Sequence, residues 1–154
     1  MSWLRAWLPV IVWAAFIFFM STGNFSSNHT EGFFIPLLHS LLPRAPEQSL
    51  IAIHFFFRKS AHACEYFILG ILLIRAIRRG KRGWQFRWAL LAVLLAALYA
   101  SSDEFHQIFV PDRQPSVWDV LLDTSGATVA QFAAWIVMRR DEGGSAAEAE
   151  PETP

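Results

Sequence analysis

An apolar run from Trp88 to Ala100 ends in Ser101-Ser102-Asp103-Glu104-Phe105-His106-Gln107. A helix of about 13 residues measures roughly 20 Å at 1.5 Å per residue, well short of a bilayer core of about 30 Å. If this run crosses a membrane, its helix has to continue through Asp103 and His106. Two carboxylates and an imidazole then sit at or inside the membrane boundary. Ionisable groups at that depth are costly, and they mark a functional site. The rest of the chain must therefore supply a membrane context and partners for them.

Composition supplies the context. The chain is 54% hydrophobic and 17% charged, with seven Trp and fourteen Phe. Soluble domains carry about 25% charged residues, and the mean hydropathy of +0.32 agrees with a membrane chain. At 154 residues one domain is expected. A single cysteine, Cys64, excludes an internal disulfide and reads as a small buried hydrophobe. There is no glycine-rich phosphate loop, nucleic-acid motif or internal repeat, so neither a nucleic-acid partner nor a cofactor is expected.

Four spans are expected, at about residues 3–21, 55–77, 87–107 and 117–138, making an all-α polytopic four-helix bundle. The first begins with Arg5 and carries Pro9 in its early turns, where a lost amide is tolerable. No small-residue cleavage site follows it, so it reads as a retained span rather than a signal peptide. Between the first two spans, Phe33 to Leu42 is apolar but too short to cross, and Pro36 interrupts it. It reads as a short interfacial helix or re-entrant piece. His39 and His54 read as packing histidines. Residues 141–154 are acidic and rich in Gly, Ala and Pro, the composition of a disordered tail.

Polar residues recur on single helical faces. Lys59, His62 and Tyr66 fall at i, i+3, i+7, with Glu65 bordering that face. Asp119, Asp123 and Gly126 fall at i, i+4, i+7, and Gly126 with Ala130 makes a small-xxx-small pair that permits close helix approach. Ser116 and Asp119 have capping-box spacing, with Asp in place of the usual Glu. Arg75, Arg78, Arg79, Lys81, Arg82 and Arg87 gather around one connection. The positive-inside rule makes that connection cytoplasmic. Arg5, Arg139 and Arg140 then lie on the same side, which puts both termini in the cytoplasm; Arg44, Arg58, Lys59 and Arg113 lie outside. The polar turns of spans two, three and four all fall at extracytoplasmic ends, so this topology predicts that they converge.

Arg58-Lys59-Ser60-Ala61-His62-Ala63-Cys64-Glu65-Tyr66, then Ser102-Asp103-Glu104-Phe105-His106-Gln107 continuing to Arg113, then Asp119, Asp123 and Gly126, resemble the VanZ-like membrane proteins over about residues 8–138. The resemblance implies a small integral protein of a bacterial cytoplasmic membrane and a link to resistance against the glycopeptide teicoplanin. It implies no agreed catalytic assignment. Asp123 stands where many relatives have Asn, and Ala130 where a second Gly is common.

Three readings of the cluster stay open. As a binding site, Lys59, Arg58 and Arg113 hold the phosphate or carboxylate of a membrane lipid or lipid-linked cell-envelope precursor, while Tyr66, Gln107, Ser116, Asp119 and Asp123 complete the pocket. As a membrane-embedded hydrolase or transferase, His62 or His106 beside Glu65, Asp103 or Glu104 supplies acid–base chemistry. The pairs His62/Glu65 and Asp103/His106 also have the i, i+3 spacing of metal ligands in helical bundles. As a structural cluster, the ions pin the helices together, with little net gain over apolar packing.

Overall fold

The computed structural model describes residues 2–22, 27–110 and 115–147, without the side chains of 27–29 and 140–147. Every regular element among them is a helix: α1 (Trp3–Met20), α2 (Ser27–Leu41), α3 (Glu47–Arg78), α4 (Phe86–Gln107) and α5 (Val117–Ala147). Four are long and apolar enough to cross a membrane: α1, α3, α4 and the Val117–Arg139 part of α5.

The packing is what a bundle in lipid requires. On α4 the small residues Ala89, Ala92, Ala96 and Ala100 are buried, while Leu90, Leu91, Leu94 and Leu98 face outward. Lipid tails solvate leucine as well as a protein core does, so helices associate through small residues that let backbones approach. On α5, Ala127, Ala130 and Ala134 form the matching buried stripe.

α3 is the central element. It packs most extensively against α5, and also against α1, α4 and α2. α3 and α5 run parallel, and α4 returns between them. The expected close approach of the two is present: an added Cβ on Gly126 would lie 2.3 Å from the Ala63 carbonyl oxygen, and one on Gly70 would lie 2.9 Å from Ala130 Cβ. Gln131 Nε2 ties the same interface by donating to the Gly70 carbonyl at 3.1 Å. α1 is fastened by Trp13 Nε1, which donates to the Glu65 carbonyl at 2.9 Å, and by Tyr99, whose hydroxyl donates to the Ala14 carbonyl at 2.5 Å. The basic turn between α3 and α4 reverses with Arg79 left-handed at φ 51° and Gly80 at φ 83°. Arg78 closes it by donating from Nε and Nη2 to the Lys81 carbonyl.

Four expectations need correction. Pro36 does not interrupt the segment after α1, because α2 runs through it as one helix. α3 starts at Glu47 rather than at residue 55, because its early turns pack against α2, where Phe34 and Glu31 meet His54. Lys59 to Tyr66 therefore lie mid-helix, not at its start. α5 continues to Ala147, past the residue at which a tail was expected; residues 148–154 lie outside the described ones. Cys64 is exposed rather than buried. His54 does behave as a packing residue, with its ring 5.6 Å from that of Phe34 and Nδ1 3.7 Å from Glu31 Oε1.

Candidate functional site

The parallel α3–α5 interface aligns the basic face of α3 with the acidic face of α5. Lys59 Nζ donates to Asp119 Oδ1. One turn deeper, His62 Nδ1 lies 3.8 Å from Asp123 Oδ1. The Gly126–Ala63 contact comes directly below. Lys59 is eighteen residues, or about 27 Å of helix, from Ile77 beside the basic turn, so the ladder sits about one bilayer core away from that turn. The Lys59 and Asp119 side chains keep 27% and 19% of their surface, while Asp123 keeps 3%. The rim is partly open and the floor is closed.

The end of α4 supplies the second wall. Asp103 Oδ2 accepts from Ser21 Oγ at 2.8 Å and from Gln107 Nε2 at 3.1 Å, and Gln107 Nε2 also donates to Ser21 Oγ at 3.0 Å. This buried triad ties the end of α1 to α4. Glu104 takes the next contact: its Oε2 accepts from the Ser116 backbone N–H at 2.7 Å. Ser116 precedes the first turn of α5, and its carbonyl accepts from Asp119 N and Val120 N. The carboxylate meeting the Ser116 N–H thus comes from α4 rather than from Asp119, which faces Lys59; the expected capping box is replaced by a tertiary one.

Between the walls lies Tyr66, fully buried, with its ring centroid 6.2 Å from that of Tyr99. Asp103 and Asp123 lie near the Tyr66 hydroxyl, and Asp119, Glu104 and Glu65 lie near Asp123. Tyr66 Oη, Asp103 Oδ1 and Asp123 Oδ1 are buried and have no hydrogen-bond partner among the described residues. A family model described as VanZ/LLP1 matches residues 6–138, spanning all of these positions. The chain belongs to the VanZ/LLP1 family. No curated protein and no solved structure matches it.

Most of the sequence-predicted site residues of this VanZ/LLP1 chain thus meet at one end of the bundle. Lys59, Tyr66, Asp119 and Asp123 line the α3–α5 side; Asp103, Glu104, Gln107 and Ser116 line the α4 side. His62 faces Asp123, and Glu65 borders the same face, its backbone carbonyl engaged by Trp13. His106 turns instead toward α1, with its ring 4.7 Å from that of Phe18 and its buried Nδ1 unpartnered among the described residues. Arg113 lies outside the described residues. Among the described residues no three His, Cys, Asp or Glu side chains are grouped to hold a metal ion.

Ser21 is the functional-end residue that sequence reasoning missed. It follows directly on the apolar run of α1, and its position at the same end of the bundle was the available signal. Chemically, the floor offers acceptors and a phenol, and the rim offers an amine.

The Glu104 contact gives a testable outcome. Losing a carboxylate acceptor at a helix N-terminus costs about 1 kcal/mol. Glu104→Ala is expected to lower the unfolding temperature in detergent, and Glu104→Gln, which keeps an acceptor oxygen, to lower it less. Equal losses would count against the contact.

Proposed function

We propose that this VanZ/LLP1 protein binds the polar head group of a membrane lipid or lipid-linked cell-envelope precursor at the outward face of a bacterial cytoplasmic membrane. Outward is the side opposite the basic turn, by the positive-inside rule. The reading is carried by one observation: beneath the partly open Lys59–Asp119 rim lie three buried polar atoms, Tyr66 Oη, Asp103 Oδ1 and Asp123 Oδ1, without a hydrogen-bond partner among the described residues. Buried polar groups in native proteins are nearly always satisfied, so such a group calls for an explanation. A head group bearing hydroxyl, amide or ammonium donors satisfies the two carboxylate oxygens. Its phosphate is met by Lys59, with Arg58, its neighbour in sequence, as a further cation. A link to glycopeptide susceptibility follows if the ligand is a precursor that such antibiotics also engage.

The test is substitution across the cluster, scored for folded yield, for lipid retained on gentle extraction and for teicoplanin susceptibility. Asp103→Asn and Tyr66→Phe are expected to leave folded protein that loses the retained lipid and the phenotype. Normal lipid retention in both variants would end the proposal.

A second reading has support in the 3.8 Å approach of His62 Nδ1 to Asp123 Oδ1. A histidine oriented by a buried carboxylate is a common acid–base arrangement. His62→Gln combined with His106→Gln removes that chemistry while keeping most of the packing. If the double variant retains the phenotype that Asp103→Asn loses, histidine catalysis is ruled out and head-group binding stands.

A further inference from the structure

The other end of the bundle carries a second site. A groove of about 430 Å³ runs between α4 and α5 beside the basic turn, walled by Trp84, Phe86, Val93, Thr128, Gln131 and Trp135 among others. Its volume falls within the range of small-ligand sites, about 300–1,000 Å³. The groove is almost wholly apolar, and Phe86 on its wall is 70% exposed, so it opens sideways toward lipid.

Two features distinguish it from an ordinary lipid-facing furrow. First, two of its lining residues hold buried polar atoms with no partner among the described residues, the donor Trp84 Nε1 and the acceptor Gln131 Oε1. The Gln131 nitrogen is already committed to the Gly70 and Ala127 carbonyls, which leaves its oxygen to meet a ligand. Second, basic residues gather at this end of the groove. The Arg139 guanidinium stacks on Trp135 at 4.8 Å, Arg87 follows Phe86 directly, and Lys81 and Arg82 lie just ahead of Trp84. No acidic residue lies between Arg75 and Arg87. Basic pockets between spanning helices are suited to anionic lipid head groups.

We infer that the α4–α5 groove binds one anionic phospholipid. An acyl chain lies along the apolar wall, the phosphate or ester oxygens accept from Trp84 Nε1 and face Arg87 and Arg139, and a head-group hydroxyl donates to Gln131 Oε1. This site is separate from the polar cluster at the far end and does not depend on what that cluster binds.

The test is native mass spectrometry of the purified full-length protein titrated with phosphatidylglycerol or with phosphatidylcholine. One tightly held phosphatidylglycerol is expected, preferred by about fivefold for each basic residue engaged, with the preference shrinking at high salt. Equal binding of the two lipids overturns the inference. Thr128→Trp fills the groove from an exposed position and is expected to abolish the tight copy; an unchanged copy overturns the inference. Should that variant not fold, Trp84→Phe keeps the ring and removes only the donor. It is expected to weaken the preference at an unaltered unfolding temperature, and an undiminished preference overturns the inference equally.

Discussion

Gly126→Ala is expected to cost about 3 kcal/mol, the upper end of what overpacking a tight interface does. The new Cβ would lie 2.3 Å from the Ala63 carbonyl oxygen, 3.2 Å from its carbonyl carbon and 3.3 Å from its Cα. All three are backbone atoms, so no side chain can step aside. Carbon–oxygen contacts sit at about 3.3–3.6 Å, so α3 and α5 must separate by about 1 Å. That separation also stretches the Lys59–Asp119 and His62–Asp123 contacts on the same interface. Gly32→Ala is the control: nothing lies within 4 Å of its added Cβ, and alanine is favoured over glycine in a helix by about 1 kcal/mol. Thermal unfolding in detergent checks both. A Gly126→Ala protein as stable as the parent would mean that the two helices do not meet here.

Lys59→Met is expected to destabilise by about 2 kcal/mol, and adding Asp119→Leu to recover most of that loss. Breaking a buried ion pair by removing one partner costs about 3–5 kcal/mol, because a charge is left behind without compensation. Here both side chains keep some surface, 27% for Lys59 and 19% for Asp119, so solvent screens part of the penalty. Removing both charges leaves nothing uncompensated, and in an apolar setting the double variant is close to neutral. The double-mutant cycle reads the coupling directly. Additive losses would separate the two residues. A double variant that folds normally yet no longer retains head-group lipid would assign the pair to binding rather than to scaffolding.

The convergence of the polar turns was legible because two periodicities and one topology pointed the same way. Lys59, His62 and Tyr66 repeat on one face of α3, Asp119, Asp123 and Gly126 on one face of α5, and the basic turn puts both at the same end. Which group meets which was not legible. Asp119 had capping-box spacing from Ser116, but a tertiary cation claimed it and Glu104 from another helix met the Ser116 N–H. Local spacing cannot rank a neighbour against a partner 60 residues away. Cys64 was misjudged through a rule from soluble cores: where the surroundings are hydrocarbon, an apolar side chain is not driven inward, and only the residues at a close helix contact need to be small. The start of α3 was missed because hydropathy finds the membrane-crossing part of a helix, and α3 runs on beyond it under the cover of α2. Ser21 left no periodic trace at all.

The parallel pairing of α3 with α5 has a consequence for how the chain is made. Lys59 leaves the ribosome 60 residues before Asp119, a delay of roughly 3–12 s at 5–20 residues per second. Throughout that interval the nascent α3 carries an amine and an imidazole whose carboxylates have not been synthesised. The synthesis of α3 therefore precedes its pairing with α5, and any translocon component or chaperone that shelters a half-made span has its natural client in α1 to α4, before α5 docks.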